Sequence, residues 1–284
     1  MKKQTRKTVS IVLAILMALS VVIPVVATPA KAAGTHKCKT YQLTPAEKLI
    51  IQKKADEFLS DLQDRKTSAN THYVINLPDA MIAKYGRSVL QRMIEVTARK
   101  RTSFFNGRYA QSQFNMSLYD APHGCGFIFN PLLSNAQMKQ TEDAAQKAVA
   151  DLKNSPISEK DKVRTIYNRL EKICSYDTDF TTTCNVLSET AYGALIRHKA
   201  VCCGASMAFS LMCYYAGIPN VSMEEGYLCA QNRNYGGHAW NTYFDGKTKY
   251  LIDIVNHHCL EQKIKDCTYT NYIAGDGTYF LEVL

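Results

Sequence analysis

A cysteine, a histidine and an aspartate follow one another along the chain in the order that thiol-based acyl transfer uses. Cys202 lies in the stretch Ala-Val-Cys-Cys-Gly, His238 in Gly-His-Ala-Trp-Asn, and Asp253 closes Tyr-Leu-Ile-Asp. A thiolate can attack an amide carbonyl, an imidazole can carry the proton, and a carboxylate can orient the imidazole. These residue types indicate a nucleophilic cysteine site.

The segment between His238 and Asp253 predicts a β-hairpin that brings the two side chains together. Its centre, Asp245-Gly246, is a dipeptide typical of a type I′ turn. Pairing about this turn places His238 opposite Asp253, and directly opposed side chains have Cβ atoms roughly 4.5 to 5.5 Å apart. A four-residue loop from Phe244 to Lys247 would keep this register, whereas a loop with an odd number of residues would turn Asp253 to the other face of the sheet.

Cys202 precedes an apolar run at 207–215, which predicts a buried helix that ends at Gly217. A thiol at a helix N-terminus is favoured as the thiolate, and the unpaired N–H groups there could line an oxyanion hole. The neighbouring Cys203 creates an ambiguity, because consecutive helix residues point about 100° apart and only one thiol can face His238. Either cysteine could instead be a buried or disulfide-bonded structural residue.

These segments resemble the transglutaminase-like superfamily of papain-type thiol enzymes. Its pattern runs approximately Gly-Val-Cys-x-Gly-Tyr-Ala, then Gly-His-Ala-Trp-Asn, then a strand with Asp, and the resemblance covers roughly residues 158 to 257. It implies that Cys202 is the nucleophile, that His238 is the general base and acid, and that Asp253 orients His238. The segments Tyr176-Asp177 and 191–195 also look like the superfamily's approach to its cysteine.

The chain departs from that pattern at several positions. Ala200 stands where the family usually has glycine, Ala205 where it has tyrosine, and Asn256-His257-His258 where aromatic and acidic residues often follow the aspartate. These departures bear on substrate preference more than on the chemistry.

Three further residues are candidates for an oxyanion hole or a wall of the site: Tyr176, Cys203 and Trp240. The Tyr176 hydroxyl could donate to a developing alkoxide, with ordinary packing as the alternative. Trp240 shares a strand face with His238, so it could wall the site, shield the His-Asp contact from water, or simply fill the core.

The predicted elements indicate an α+β fold, in which the cysteine-bearing helix packs on an antiparallel sheet. This agrees with the transglutaminase-like (papain-like) core that the resemblance implies, preceded by a mixed helical and strand extension. Helices are expected near 45–62, 134–152, 158–173 and 202–216, and another after residue 77 that runs through Met93 and Val96 and ends at 99–101. Strands are expected near 72–77, 104–129, 221–227, 237–244, 249–255 and 279–283.

Four regions are expected along the chain. Residues 1–32 read as a signal peptide, 33–43 as a flexible mature N-terminus, 44–153 as a helical and strand region of unknown role, and 154–284 as the catalytic domain. Four basic residues precede the apolar run 9–26, and Ala30-Lys31-Ala32 forms a small-x-small cleavage site. An uncleaved membrane anchor is the alternative, although Pro24 and the cleavage site favour removal. The protein is therefore expected to be secreted or associated with the cell surface.

Most of the net charge of +9 comes from this first segment, because residues 1–32 hold five Lys or Arg and no acidic residue. The remaining charge of +4 suits an anionic environment such as a cell wall. No motif for nucleic-acid binding is present, and no second apolar stretch is long enough to span a membrane after signal cleavage.

All ten cysteines lie after the signal segment, at 38, 125, 174, 184, 202, 203, 213, 229, 259 and 267. In an exported protein some are expected to form disulfides, and the short loops Cys174 to Cys184 and Cys259 to Cys267 are candidates. Metal-ligand spacings of the zinc or calcium type are absent, so we expect neither a metal nor another cofactor.

Together these features predict a secreted thiol enzyme that acts on amide bonds of peptide or protein substrates through a thioester, with cell-wall peptide as one candidate substrate. Hydrolysis is favoured over cross-linking, since cross-linking needs a cleft that excludes water while admitting a second substrate. The alternatives are a protein-glutamine transglutaminase and a non-catalytic cell-wall or protein-binding module that retains the fold. The oligomeric state is left open.

Overall fold

The computed structural model describes residues 38–64, 71–99, 114–121, 123–179, 186–230, 233–264, 267–271 and 278–282. Its helices are α1 (Pro45–Asp64), α2 (Asp79–Tyr85), α3 (Arg87–Arg99), α4 (Asn135–Val149), α5 (Glu159–Ile173), α6 (Ala191–Leu195) and α7 (Cys202–Tyr215). Its strands are β1 (Cys38–Gln42), β2 (Thr71–Asn76), β3 (Phe114–Ala121), β4 (Gly124–Pro131), β5 (Ser175–Tyr176), β6 (Lys199–Ala200), β7 (Val221–Ala230), β8 (Arg233–Phe244), β9 (Lys249–Asp253), β10 (His258–Glu261), β11 (Cys267–Asn271) and β12 (Thr278–Glu282).

Local capping signals begin two of the predicted helices where the sequence places them. Thr44 and Glu47 form a reciprocal capping box at α1, with bonds of 2.8 Å from Thr44 N to Glu47 Oε2 and 3.3 Å from Glu47 N to Thr44 Oγ1. Ser158 Oγ accepts from Asp161 N at 3.1 Å and caps α5. These bonds satisfy N–H groups that have no partner inside the helix.

A five-stranded antiparallel sheet of order β10-β9-β8-β7-β11 forms the framework for the site. Helix α7 packs against β7 and β8 and is flanked by α4, α5 and α6. The stretch 204–213 within α7 is buried throughout, because it is surrounded by helices on one side and the sheet on the other. This confirms the predicted α+β fold with the cysteine-bearing helix packed on an antiparallel sheet.

Part of the N-terminal segment that was expected to be flexible is a strand. Residues 38–42 form β1, which pairs antiparallel with β12 in the register Cys38↔Glu282 to Gln42↔Thr278. The two strands lie at opposite ends of the chain, so no local pattern could reveal the pairing. The extension also contains a three-stranded antiparallel sheet of order β2-β4-β3.

The predicted signal peptide, and residues 104–113 of the expected strand region, lie outside the described residues. Within the described part of the chain, no helix combines the length and apolar character needed to cross a bilayer. Cys174 and Cys259 are free thiols. Neither of the two candidate short-loop disulfides therefore forms in this structure.

Candidate active site

Cys202 is the first residue of α7, and the preceding residue Val201 is anchored at both of its backbone polar groups. Val201 N donates to Ser188 O at 2.9 Å, and Val201 O accepts from Ala205 N at 3.0 Å. No side chain caps this helix at Val201. The first-turn N–H groups beside the Cys202 thiol are therefore not used by a side-chain cap.

A short parallel pairing holds the approach to Cys202. Strands β5 and β6 pair Ser175 with Lys199 and Tyr176 with Ala200. Asp177 N continues this ladder by donating to Ala200 O at 3.0 Å. The pairing fixes the backbone two residues before the cysteine and places Tyr176 alongside it.

The Asp177 carboxylate directly follows β5 and is only 2 % exposed. It accepts a hydrogen bond from Ser188 Oγ and pairs with Lys199 Nζ at 3.1 Å. Burial opposes the charged form, but Ser188 and Lys199 outweigh it and hold the pKa of Asp177 below its usual range. Asp177 thus ties together β5, β6 and the turn that contacts Val201.

Gly204 allows α7 to approach that turn closely. A Cβ atom at Gly204 would lie 2.4 Å from Ser188 O and 2.8 Å from Thr190 O, both of them backbone atoms. Any larger residue would push the N-terminal turn of α7 away from its support. The glycine two residues after Cys202 is therefore a packing requirement.

His238 and Asp253 meet, but not through the pairing that the sequence predicts. Strands β8 and β9 pair Asn241 with Ile252, and continuing this register by one residue places Asp253 beside Trp240 rather than His238. Phe244 pairs with Lys249, so the loop has four residues. Within it, Asp245 Oδ1 accepts from Lys247 N at 2.9 Å and Thr248 N at 2.7 Å. The shift of two residues preserves the strand face, so His238 reaches Asp253 diagonally.

The Asp253 carboxylate is 1 % exposed and its two oxygens are well supplied with donors. Oδ1 accepts from the backbone N–H groups of Val255 (3.0 Å) and Asn256 (3.1 Å). Oδ2 accepts from His238 Nε2 (2.6 Å), Asn256 Nδ2 (2.8 Å) and Tyr269 Oη (2.8 Å). This set of donors stabilises a buried negative charge and fixes its orientation.

Charge on His238 and Asp253 is mutually stabilised. Burial alone would lower the pKa of His238, but the Asp253 carboxylate and the adjoining Cys202 side chain outweigh it and raise that pKa. Burial alone would raise the pKa of Asp253, but His238, Asn256 and Tyr269 lower it. The pair is therefore an imidazolium and a carboxylate, with His238 Nδ1 left for exchange of a proton with the thiol.

Two aromatic rings surround this ion pair. Trp240 is 1 % exposed and stacks on His238, with ring centroids 6.0 Å apart and an interplanar angle of 19°. Tyr269 packs edge-on to Trp240 at 5.1 Å. Trp240 therefore both fills the core and covers the imidazole, and it is not an open wall of a cleft.

Of the other two candidate residues, Tyr176 lies at the surface beside the thiol and is 44 % exposed. Burial of its hydroxyl, with the nearby Cys202 and Asp177, raises the pKa of Tyr176, so the hydroxyl keeps its proton and can donate. Cys203 is the second residue of α7, is half-buried and is a thiol.

A cavity of about 110 Å³ lies beside Tyr176 and is lined in part by Cys174, Ala205 and Val255. A larger and more open groove of about 480 Å³ includes Ile50, Lys53 and His123. The three predicted catalytic residues line neither of these two spaces. Among the described residues, no group of three or more His, Cys, Asp or Glu side chains converges as a metal site would.

Residues 145–252 match the family model described as the transglutaminase-like superfamily. These residues belong to that superfamily. The matched segment contains Cys202 and His238 and ends one residue before Asp253. A search of curated protein sequences found no significant match for the chain.

Solved structures that match the chain include a TGase and two candidate proteases. For the TGase, the sequence identity is 15 % and the TM-score is 0.36, and the alignment covers 69 % of this chain and 53 % of the TGase chain. A candidate cysteine protease from Cytophaga hutchinsonii has 10 % identity and a TM-score of 0.33, covering 60 % and 83 % of the two chains. A candidate protease from Parabacteroides distasonis has 10 % identity and a TM-score of 0.30, covering 61 % and 40 %. The chain thus spans about half the length of the TGase.

The structure adds residues to the candidate site that the sequence analysis did not identify. Tyr269 and Asn256 bond to Asp253, and Ser188 and Lys199 hold Asp177. Asn256 was visible in the sequence only as a departure from the family pattern. Tyr269 carried no signal, because β11 reaches the site by pairing with β7.

Proposed function

We propose that this chain is an exported thiol enzyme that acts on amide bonds of peptide or protein substrates. The observation that carries the proposal is the 2.6 Å contact between His238 Nε2 and Asp253 Oδ2. It lies on an imidazole that adjoins Cys202, the first residue of α7. A buried ion pair of this kind keeps an imidazolium ready to stabilise a thiolate and to protonate a leaving group.

The geometry supports a two-stage reaction. The Cys202 thiolate attacks the amide carbonyl, and the oxyanion would be stabilised by first-turn N–H groups of α7 and by the Tyr176 hydroxyl. His238 then gives its Nδ1 proton to the departing amine, which leaves a thioester on Cys202. In the second stage neutral His238 takes a proton from water, and the resulting hydroxide attacks the thioester carbonyl. The C–S bond then breaks, which releases the carboxylic acid product and restores the Cys202 thiolate beside the imidazolium.

We favour water over an amine as the second nucleophile. A cross-linking enzyme must exclude water while it admits a second substrate. The thiol lies beside Tyr176, which is 44 % exposed, so this side of the site is open to water. Hydrolysis is therefore the proposed outcome, and a protein-glutamine transglutaminase is the alternative.

Competition between the two acceptors tests this choice. The protein is incubated with a glutamine-containing peptide and a labelled primary amine, and products are separated by mass spectrometry, with Cys202→Ala as the control. We expect hydrolysed peptide to exceed the amine adduct and both to vanish in the control. Efficient amine incorporation would establish the transglutaminase instead.

Export is proposed from the basic residues, the apolar run 9–26 and the site Ala30-Lys31-Ala32. Expression of the full chain in a secreting host should yield a medium or surface form that begins after Ala32. Intact mass spectrometry measures this. Recovery of the uncleaved chain in the membrane fraction would show that residues 1–32 act as a membrane anchor and are not removed as a signal peptide.

A further inference from the structure

A cavity of about 110 Å³ separates the C-terminal end of α5 from α7 and from the turn that follows Asp253. Its lining includes Cys174, Tyr176, Ala200, Ala205, Ile254 and Val255. Neither the proposed chemistry nor the family match gives this space a role.

Cys202 does not itself line the cavity, but three of the lining residues, on separate elements, lie close to the predicted catalytic residues. Ala205 lies one helical turn after Cys202 on the same side of α7. Tyr176, another lining residue, is close enough to Cys202 for the thiol to affect the pKa of its hydroxyl. Val255, from a third wall, donates its N–H to Asp253 Oδ1 at 3.0 Å. A substrate held at Cys202 would therefore have this opening beside it.

The walls are mainly apolar and are set by small side chains. Ala200 and Ala205 are each 1 % exposed, and Ile254 is 6 % exposed. Either alanine, if larger, would reduce the cavity directly. Space at this position exists because two alanines face it.

One carboxylate, Glu171, lies at the margin, but it is already engaged. Glu171 Oε1 accepts from Tyr167 Oη at 3.0 Å and pairs with His257 Nδ1 at 2.8 Å. A cationic ligand group would have to compete with both. The cavity is also smaller than the roughly 150 Å³ apolar cavity that holds a benzene ring.

We propose that this cavity is a specificity pocket that receives a small aliphatic side chain of the peptide substrate next to the carbonyl attacked by Cys202. The inference rests on the proposed thiol-enzyme function and adds a substrate preference to it. Valine-sized to leucine-sized side chains fill the space, whereas an aromatic ring exceeds it. Burial of each additional methylene there favours the matching substrate.

Alkylating probes test the pocket without knowledge of the natural substrate. Chloroacetamide, N-isobutyl chloroacetamide and N-benzyl chloroacetamide are reacted with the full mature protein, and modification of Cys202 is followed by peptide mass spectrometry. Each rate is divided by the rate of iodoacetamide with the same variant. In the wild type we expect the isobutyl probe to exceed the parent and the benzyl probe by about tenfold.

Ala205→Val should lower the isobutyl-to-parent ratio by about tenfold, since two methyl groups enter the pocket. Ala208→Val adds the same groups at a buried position of α7 that does not line the cavity, and should keep the ratio. Ala200→Gly enlarges the pocket and should raise the benzyl-to-isobutyl ratio, which supplies a second test if Ala205→Val does not fold.

Two kinds of failure are distinguishable. Equal ratios in the wild type, Ala205→Val and Ala200→Gly, with a Cys202 that iodoacetamide labels rapidly, would overturn the pocket and leave the thiol enzyme standing. A Cys202 that iodoacetamide labels only slowly in the wild type would overturn the proposed function, and the pocket with it.

Discussion

His238 bonds to Asp253 across 2.6 Å although the two residues are not partners in the β8–β9 ladder. The register places Asp253 beside Trp240, and Trp240 stacks on His238 at 6.0 Å. The imidazole is therefore held by a carboxylate at one nitrogen and by an indole on one ring face. This arrangement fixes the ring while leaving Nδ1 toward the thiol.

Replacement of Asp253 by Asn tests the role of the carboxylate with little change of shape. The amide cannot carry the negative charge that raises the pKa of His238, so the imidazolium is lost near neutral pH. We expect peptide turnover to fall by about 10² to 10⁴. Asp143→Asn, which changes an exposed carboxylate of α4 paired with Lys139, is the control. Unchanged turnover in Asp253→Asn would remove Asp253 from the mechanism.

Asp177 is predicted to stabilise the backbone that leads to Cys202, through its contacts with Ser188 and Lys199. Asp177→Asn leaves the buried Ser188 Oγ without its charged acceptor and removes one of the two carboxylates that pair with Lys199, which should cost about 1 to 3 kcal/mol of unfolding free energy. Asp179→Asn removes the carboxylate that pairs with the same lysine at 3.0 Å but is 64 % exposed, and should change stability by less than about 0.5 kcal/mol. Urea unfolding measures both. Equal losses of unfolding free energy in the two variants would show that the buried Asp177 stabilises the protein no more than the exposed Asp179 does.

Gly204→Ala should destabilise the protein by about 3 kcal/mol, because its Cβ would meet two backbone oxygens that cannot move independently. Gly86→Ala provides the comparison. Its φ of 82° is unfavourable for alanine, but no atom lies within 4 Å of the added carbon, so only about 1 to 2 kcal/mol is expected. A Gly204→Ala variant as stable as Gly86→Ala would contradict the close packing of α7 on Ser188.

The free energy of unfolding should depend on pH because the buried His238–Asp253 pair titrates. The pKa of His238 is raised from 6.5 to about 10, so its contribution is complete below 6.5 and is lost as pH rises through about 10. The pKa of Asp253 is lowered from 3.8 to about 2, so its contribution is complete above 3.8 and is lost as pH falls through about 2.

The difference in unfolding free energy between the wild type and His238→Gln/Asp253→Asn should therefore be largest between about pH 4 and pH 6.5. Urea unfolding at pH 5, 7 and 9.5 measures it. A difference that is the same at pH 5 and pH 9.5 would contradict the charged pair.

Much of this site could be predicted because its signals are local. The apolar run after Cys202 predicts α7, the Thr44 and Ser158 caps begin their helices, and the even hairpin loop keeps Asp253 on the face of His238. Short motifs around Cys202 and His238 are enough to match these two residues to a family pattern.

The register of the hairpin could not be predicted, since it depends on how Asp245 folds back on its own loop. Its carboxylate binds two backbone N–H groups inside the four-residue loop, in which Gly246 has a φ of 93°. Contacts between distant segments were also hidden. Tyr269 reaches Asp253 from β11, and β1 pairs with β12, through long-range strand pairing that no local window contains.

The central claim is that His238 activates the Cys202 thiol, and iodoacetamide labelling of Cys202 between pH 5 and pH 9 tests it most directly. Peptide mass spectrometry follows the wild type and His238→Ala. An ordinary cysteine reacts more slowly as pH falls below about 8.5. We predict that wild-type Cys202 labels nearly as fast at pH 6 as at pH 8, and that His238→Ala slows labelling at pH 6 at least tenfold. Slow labelling at pH 6 that is the same in both proteins would contradict the account and favour a non-catalytic binding module.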